Sequence, residues 1–331
     1  MPSISRHPTS SEHEGTFMHA LILAGGLSHE RDVSIRSGRR VMEALRTTVD
    51  KVTMVDVDTE LIPTLRHGDI DVVWPLVHGA TGEDGSLQAL LELVGVPFVG
   101  TASPSARVAW NKAVSKAVMA RSGISTPDHV TLPQSLFREV GAEQVLDTVV
   151  ARFGLPVVVK PVRGGSALGV SIVHDRGDLA RAMVHCFAYG DTALVEKHIP
   201  GTEVAMSVLG TGDDARVLPA VETVTDGAYD YDARYNPGRV EYFAPARLTE
   251  SQAAEAATTA LAVHRSMDLR DLSRIDLILD ETGVAQVIDI NITPGMTETS
   301  LFPQAAEAAG LDLGRVYREV VDTAAARGAT R

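Results

Sequence analysis

Residues 274–295, with the sequence RIDLILDETGVAQVIDINITPG, constrain the fold most strongly because they have the pattern of a β-hairpin. Apolar residues alternate with polar ones on both sides of residues 280–283, DETG, which are a turn signal. A loop formed by Thr282 and Gly283 fixes the register of the two strands. The predicted opposed pairs are Asp276 with Asp289, Arg274 with Asn291, and Ile278 with Val287.

This register gives the hairpin one polar and one apolar face, and a slip of one residue would mix them. We therefore expect the apolar face to pack on a core and the polar face to hold a ligand. The polar face carries Arg274, Asp276, Asp289 and Asn291. The apolar face carries Ile275, Leu277, Leu279, Ile288 and Ile290, with Gln286 as its exception.

The polar face has the ligands of a hard metal ion. Directly opposed carboxylates, with Cβ atoms roughly 4.5 to 5.5 Å apart, repel each other unless a cation lies between them. Asp276 and Asp289, together with the amide oxygen of Asn291, suit Mg²⁺, which keeps its other positions for water and phosphate oxygens. The alternative is a solvated polar face with an accidental acidic pair.

The composition indicates a globular protein with two or three domains and argues against a nucleic-acid partner. The chain has 331 residues, 44% of them apolar, and a formal charge of −13 from 43 acidic and 30 basic residues. Such a chain repels polyanions but can still hold a local basic site for a small anionic ligand. The single cysteine, Cys186, excludes an intramolecular disulfide and a thiolate metal cluster.

The first residues have no export or membrane signal. Residues 1–17 are rich in Ser, His, Pro and Glu without periodicity, and we expect a disordered tail there. The apolar run at 20–24 is far too short to span a membrane, and charged residues follow it closely. The expected location is the cytoplasm, without a membrane partner.

Residues 18–106 have the pattern of an α/β domain on a small parallel sheet. Ligands of such sheets bind beyond the carboxyl ends of the strands. The loops at that edge contain Glu30 and His78, and taken alone both are typical structural residues. The predicted elements are strands at 19–24, 52–57, 72–76 and 96–99 and helices at 34–45 and 87–94.

Residues 107–199 are predicted to form a second, α+β domain, entered by one amphipathic helix at 105–122 that carries Lys112 and Lys116. Lys160 ends an apolar strand, where a buried ammonium needs an anionic partner. The glycine-rich segment 161–169 follows, and amides over phosphates with a lysine beneath suit a nucleoside triphosphate. A plain turn is the alternative, and the segment is not a Walker loop. The other predicted elements are helices at 142–153 and 179–189 and strands at 157–160, 170–173 and 193–196.

Residues 200–331 are predicted to form a third domain that contains the hairpin. The segment 229–235, YDYDARY, is rich in Tyr and charge, which is typical of a lid or binding loop, with a simple surface loop as the alternative. The other predicted elements are strands at 204–209 and around 218–224, a helix at 249–267 and mostly helix from 305 onward.

In this order the motifs resemble the ATP-grasp enzymes and, within them, the D-alanyl-D-alanine ligases. The resemblance extends from Met18 to about Ala324. It implies an α/β fold with three domains, α+β in its ATP-grasp part, and ATP held between the central and C-terminal domains. The segments that carry it are GGLSHERDVS at 25–34, HG at 78–79 with GEDG at 82–85, the glycine loop, YDYDARY at 229–235, RID at 274–276 and NITPGM at 291–296.

The resemblance also implies binding roles for individual residues. ATP would contact Lys112, Lys160 and the glycine-loop residue Ser166 at its phosphates, Glu196, Lys197 and Ile199 at the adenine edge, and Glu203 at the ribose. Two Mg²⁺ ions, with Mn²⁺ as a substitute, would be held by Asp276, Asp289 and Asn291.

The implied reaction is the ATP-dependent joining of two D-alanines through an acyl phosphate, for peptidoglycan synthesis. Arg274 lies on the metal face in our register and can reach the oxyanion, with the amide of Gly295 as second donor. The resemblance also implies that Glu30 binds the ammonium group of the first substrate and is hydrogen-bonded to Ser166 and Tyr235. It implies that His78 lies near the first substrate, that Ser300 binds the carboxylate of the second substrate, and that Arg234 contacts the γ-phosphate. The family is commonly homodimeric.

Several residues depart from the usual family pattern. Asp289 stands where a Glu is expected, Arg234 replaces a Lys and Ile292 replaces a hydroxyl residue. The hydroxyl of Tyr235 favours an amine as second substrate, because ester-forming relatives commonly have Phe there. A D-alanyl-D-alanine ligase is the leading interpretation. A ligase that joins other amino acids and a nucleotide-binding regulatory protein without turnover are the alternatives.

Overall fold

The computed structural model describes residues 17–225 and 240–329 and contains three β-sheets. The N-terminal sheet is parallel, as the sequence predicted, and has three strands in the order β2-β1-β3. The expected strand at 96–99 is reduced to a single bridge between Val73 and Phe98. The elements here are β1 His19–Leu23, α1 Arg31–Leu45, β2 Lys51–Val55, α2 Leu61–His67, β3 Val72–Pro75, α3 Ala80–Glu83, α4 Ser86–Val94 and α5 Ser103–Trp110.

The prediction of a single helix at 105–122 is wrong, because the helix is interrupted at Asn111. Helix α5 ends at Trp110, and α6, Lys112–Arg121, begins one residue later. The side chain of Asn111 accepts hydrogen bonds from the amides of Ala113 and Val114, both at 3.2 Å, so it caps α6. The break places Lys112 at the first position of α6, where its amide donates to the carbonyl of Val162 at 2.9 Å.

The central sheet is four-stranded and antiparallel, with order β4-β7-β5-β6, and has its own apolar core. Helices α8 and α9 pack on it through Leu146, Val149 and Leu179. Its elements are β4 His129–Pro133, α7 Gln134–Val140, α8 Ala142–Phe153, β5 Val157–Pro161, β6 Ser171–Val173, α9 Arg176–Phe187 and β7 Thr192–Lys197.

The C-terminal sheet has the order β11-β10-β8-β12-β13, with β9 beside β8. Its last helix packs against the N-terminal sheet, where Tyr317 meets Trp74 edge to face with ring centroids 5.3 Å apart. The N-terminal and C-terminal layers therefore share one continuous core. The elements are β8 Gly201–Leu209, β9 Arg216–Val217, β10 Val221–Thr225, β11 Val240–Phe243, α10 Glu250–Ser266, β12 Leu272–Asp280, β13 Ala285–Asn291, α11 Leu301–Ala308 and α12 Leu313–Arg327, with a short 3₁₀ helix at Gly212–Asp214.

Two irregularities shape the hairpin of β12 and β13. The amide of Asp280 donates to the carbonyl of Val284 at 3.0 Å, so the loop has three residues and not the predicted two. Gly283, with φ +84°, occupies the left-handed position that such a loop requires. The register then shifts between Asp276 and Leu277, which leaves Ile288 as the extra residue of a β-bulge.

The two irregularities cancel at the polar end of the hairpin. Asp276 lies opposite Asp289 and Arg274 opposite Asn291, as predicted. Near the turn the prediction is wrong, since Val287 pairs with Leu277 and not with Ile278. The apolar position predicted for Ile288 is also wrong. Its half-buried side chain lines a cleft, while Val287 is buried in the core and Gln286 pairs with Ile278.

Candidate active site

Two neighbouring cavities meet at the polar face of the hairpin. The larger, here called the interdomain cleft, lies between the central and C-terminal sheets. The smaller, here called the polar cavity, lies where the N-terminal loops meet the hairpin. Residues common to both linings are Lys112, Gly164, Gly165 and Asp289. A ligand in the cleft can therefore reach a second one in the cavity at this junction.

Two lysines from the central sheet and its entry helix border the junction. Lys160, near the end of β5, donates to the carbonyl of Ile288 at 3.0 Å and pairs with Glu196. Lys112 donates to the carbonyl of Gly164 at 2.8 Å and lies 3.0 Å from a carboxylate oxygen of Asp289. Each ammonium thus faces the cleft with one partner in the other sheet, which suits a polyphosphate bound between them.

Glu196 is a buried carboxylate held between two lysines. Its side chain contacts Lys160 on one oxygen and Lys116 at 2.9 Å on the other. Burial alone would raise the pKa of Glu196, but the two ammonium groups hold it below its ordinary value. Burial lowers the pKa of Lys116 to about 8. Sequence reasoning placed Lys116 on the helix but gave it no role, because its partner is 80 residues away in the chain.

The opposed carboxylates of the hairpin each have a basic neighbour. Asp276 accepts two hydrogen bonds from Arg274, at 2.7 and 2.9 Å, and Asp289 pairs with Lys112. The amide oxygen of Asn291 accepts from the backbone amide of Thr293 at 2.8 Å. Within the described ranges no three His, Cys, Asp or Glu side chains converge on one point. The oxygen donors of Asp276, Asp289 and Asn291 are of the kind that a hard cation prefers.

The glycine loop reaches across to the first helix. Ser166 donates a short hydrogen bond to Glu30, which lies at the N-terminus of α1 and is 6% exposed. Ser166 and Ala167 have positive φ angles of 49° and 57°, a conformation that is uncommon for residues with a side chain. This backbone turn points the Ser166 hydroxyl into the polar cavity. There it contacts Glu30, which lies 136 positions earlier in the chain.

A second carboxylate, Glu83, lines the same cavity beside Glu30. It is 7% exposed and accepts a hydrogen bond from the amide of Gly79 at 2.9 Å. Burial, with a further contribution from the charge of Glu30, raises the pKa of Glu83 to about 8. Sequence reasoning missed this residue as a site candidate. Its only signal was its place in the GEDG segment after His78.

His78 is buried and neutral. Its Nε2 lies 3.2 Å from the hydroxyl of Ser37, and burial lowers its pKa to about 4, assisted by the charge of Arg274. The hydroxyl of Ser37 also accepts from the amide of Met296 at 3.1 Å. His78 lines the polar cavity as predicted, but through Ser37 it is also tied to the loop that follows β13.

Gly295 and Ser300 lie together on the far side of the polar cavity. A Cβ atom added to Gly295 would come within 2.7 Å of the Ser300 hydroxyl, so the close approach requires glycine. That hydroxyl accepts from the amide of Thr297 at 2.9 Å, and Ser300 precedes α11. The cavity therefore places a backbone segment and a hydroxyl opposite Glu30 and Ser166.

This arrangement of a lysine-bordered cleft and a carboxylate-lined cavity has known counterparts. The model of the D-ala D-ala ligase C-terminus matches residues 118–322, and the model of the corresponding N-terminus matches residues 62–101. The chain belongs to the D-alanine–D-alanine ligase family.

Relatives in this family match nearly the whole chain. The D-alanine–D-alanine ligase of Desulforudis audaxviator is 38% identical over 308 residues, which are 92% of this chain and 98% of the relative. That of Pelotomaculum thermopropionicum is 34% identical over 304 residues, 92% and 95% of the two chains. The D-alanine–D-alanine ligase of Bacillus anthracis, solved also in complex with ATP, superposes with a TM-score of 0.78 at 26% identity, covering 94% of this chain and 97% of the complexed one. The predicted ATP-grasp fold is thereby confirmed.

The structure brings together most of the residues that the sequence singled out for the ligase site. Among the described residues every helix is too short or too polar to cross a membrane. Tyr235 and Arg234 lie outside the described residues. The residues that line the cleft or the cavity are Glu30, His78, Lys112, Lys160, Ser166, Glu196, Lys197, Ile199, Glu203, Arg274, Asp276, Asp289, Asn291, Gly295 and Ser300.

Proposed function

We propose that the protein joins two D-alanines into D-alanyl-D-alanine at the expense of ATP, for peptidoglycan synthesis. The observation that carries this proposal is the contact between Ser166 and Glu30. It connects the glycine loop, which borders the interdomain cleft, to a buried carboxylate that lines the polar cavity. A carboxylate placed there suits the ammonium group of an amino acid whose own carboxylate points toward the junction.

ATP occupies the interdomain cleft in this proposal. Its phosphates lie at the junction, where Lys112 and Lys160 neutralise charge and the glycine loop supplies amides. Its adenine lies at the β7 end of the cleft, lined by Lys197 and Ile199, and its ribose lies near Glu203. Because the carboxylate of Glu196 is paired with two lysines, its part at the adenine edge falls to its backbone.

Asp276, Asp289 and Asn291 are the residues that would hold two Mg²⁺ ions, or Mn²⁺ in their place. Magnesium prefers oxygen ligands, which these three side chains supply. A cation shared by the opposed carboxylates of Asp276 and Asp289 would offset their mutual repulsion. Bound there, magnesium would offset negative charge on the phosphates. The shorter reach of Asp289, relative to a Glu, is compatible with this role because Asp289 stays one-third exposed at the junction.

The proposed reaction has two steps, each assisted by residues of this chain. The carboxylate of the first D-alanine, held through its ammonium by Glu30, attacks the γ-phosphate and forms an acyl phosphate while ADP leaves. The amine of the second D-alanine attacks the acyl carbon, and phosphate leaves. Arg274 and the amide of Gly295 donate to the oxyanion of the tetrahedral intermediate, where loss of one such donor typically costs about 10² to 10³ in rate.

The second substrate lies on the α11 side of the cavity. There Ser300 binds the carboxylate of the second D-alanine, and His78 lies near the first D-alanine. The resemblance assigns Tyr235 to a hydrogen-bonded set with Ser166 and Glu30 and Arg234 to the γ-phosphate, and both residues lie outside the described part of the chain.

The proposal retains the expected organisation of the chain. It comprises domains at 18–106, 107–199 and 200–331 in a cytoplasmic homodimer, while residues 1–16 of the expected tail lie outside the described residues. The assignments to the cytoplasm and to a homodimer rest on the family, whose enzymes make a dipeptide that is used in peptidoglycan synthesis.

Phosphate release with purified protein, ATP, Mg²⁺ and a panel of D- and L-amino acids tests the proposal. We expect release that depends on both D-alanine and Mg²⁺. Release with another amino acid but not with D-alanine would overturn the substrate assignment and favour a ligase of different specificity. Tight ATP binding without turnover on any member of the panel would favour a regulatory protein.

A further inference from the structure

Lys116 is a buried cation that lines neither cavity. Its residue is 2% exposed, and its ammonium contacts Glu196 at 2.9 Å, the hydroxyl of Thr126 at 2.5 Å and the carbonyl of Pro127 at 3.2 Å. Burying an ammonium costs several kcal/mol unless it is paired and hydrogen-bonded. The ammonium makes two hydrogen bonds and one ion pair, so its charge is already partnered within the protein. Any effect of Lys116 on a bound nucleotide must therefore pass through these partners.

One path runs from Lys116 through Glu196 to Lys160. Glu196 holds Lys116 and Lys160 on its two oxygens, and Lys160 in turn donates to the carbonyl of Ile288. Without Lys116, the second oxygen of Glu196 would lose its basic partner, and the buried carboxylate would be free to turn about Lys160. The ammonium of Lys160 would then no longer be fixed at the cleft.

The second path runs from Lys116 through Thr126 to the hairpin. The Thr126 hydroxyl accepts from Lys116 and therefore directs its own proton to the carbonyl of Val287, at 2.8 Å. The neighbouring amide of Val287 donates to the carbonyl of Ser125 at 2.9 Å. Residues of the central domain therefore hydrogen-bond both the carbonyl and the amide of Val287, the residue before Ile288.

Both paths end on adjacent residues of the same bulge. Lys160 binds the carbonyl of Ile288 and Thr126 binds that of Val287, and the next residue is Asp289, which faces Asp276. We propose that Lys116 is a positioning residue for the nucleotide: it fixes Lys160 and the bulge relative to each other across the interdomain cleft. The inference rests on the proposed function only in taking the occupant of the cleft to be ATP.

A merely structural ion pair predicts a different outcome from a positioning residue. A structural pair affects the free energy of unfolding and leaves the affinity of the folded protein for nucleotide unchanged. A positioning residue changes nucleotide affinity in the folded protein. In metal sites, removal of a group that supports a ligand typically lowers affinity by about 10 to 100-fold, and we expect a similar range for the support of Lys160.

The test measures the Kd of Mg-ADP by calorimetry without any amino acid, together with the melting temperature of each variant. We expect K116M to raise the Kd about tenfold or more. T126V keeps the Lys116 charge but removes the hydroxyl relay, and we expect about a threefold rise, whereas T126S should match the wild type. R121M, which removes an exposed charge from the same helix, is the matched control and should also match the wild type.

Unchanged Kd values in K116M and T126V, with only the melting temperature lowered, would overturn the proposal. If K116M does not fold, the comparison of T126V with T126S decides, and equal Kd values for these two variants count against the proposal. Because no amino acid is present, the result does not depend on which substrates the enzyme joins. In an active enzyme the same variants should raise the KM for ATP and leave the KM for the amino acid within about twofold.

Discussion

At the scale of single residues, the site is organised by buried charges whose partners come from other parts of the chain. Glu30 meets Ser166, Lys112 meets Asp289, and Glu196 joins two lysines. Buried ion pairs add little net stability, since desolvation offsets their attraction. They do fix the position of each group, which is what a site for a polyphosphate and an amino acid requires.

Glu83 gives a pH-dependent prediction for stability. Its pKa in the folded protein is raised to about 8, mainly by burial, from the ordinary 4.5. Between these two values the folded state binds more protons than the unfolded state, so Glu83 lowers the free energy of unfolding as pH rises and the carboxyl ionises. E83Q cannot ionise. We therefore expect its stability relative to the wild type to increase from pH 5 to pH 8 in urea unfolding, and a difference independent of pH would contradict the assignment.

At the scale of elements, the hairpin shows how far sequence patterns lead. Alternation and the DETG turn predicted the pairing of Asp276 with Asp289. They did not predict the bulge at Ile288, because the contacts of Val287 and Ile288 with Ser125, Thr126 and Lys160 are contained in no local pattern. They did not predict the three-residue loop either, because alternation does not show that the Asp280 carboxylate accepts from the amides of Thr282 and Val284. The break at Asn111 was missed for a similar reason, since Asn is tolerated within helices as well as at their starts.

The bulge is not needed to place the two carboxylates opposite each other. A regular strand without Ile288 would bring Asp289 opposite Asp276 in the register that holds near the turn, where Leu277 faces Val287. The extra residue therefore supplies something else, namely a carbonyl for Lys160 and an apolar side chain in the cleft.

Deletion of Ile288 should keep the two carboxylates opposed and weaken nucleotide binding. We expect a folded variant whose Mg-ADP Kd rises by at least tenfold, because Lys160 loses its acceptor and the cleft loses an apolar contact. Calorimetry measures the Kd, and circular dichroism checks the fold. I288A, which keeps the backbone, should show a smaller rise. Equal losses in both variants would assign the effect to the side chain alone.

At the scale of the whole molecule, α12 ties the C-terminal sheet to the N-terminal one. Arg327 donates to both oxygens of Asp271, each at 2.7 Å, and to the carbonyl of Phe98 at 3.1 Å. Asp271 also accepts from the amide of Gly100 at 2.7 Å, and its side chain is fully buried. These contacts fix the loop edge of the N-terminal sheet, which contributes to the polar cavity, against the strand that carries Arg274.

R327M should lower the free energy of unfolding by about 3 kcal/mol, the usual cost of leaving a buried carboxylate without its charged partner. Denaturant unfolding measures this change. R181M removes an exposed pair with Asp178 on α9 and should cost less than about 1 kcal/mol. Similar losses in the two variants would show that Arg327 contributes no more than a surface charge.

One chain couples ATP cleavage to the joining of two D-alanines. Mass spectrometry of the products formed from D-alanine, ATP and Mg²⁺, with ADP measured in the same samples, tests this coupling directly. We expect one D-alanyl-D-alanine for each ADP. Formation of ADP without the dipeptide, or a different dipeptide from a mixed amino-acid pool that contains D-alanine, would contradict it.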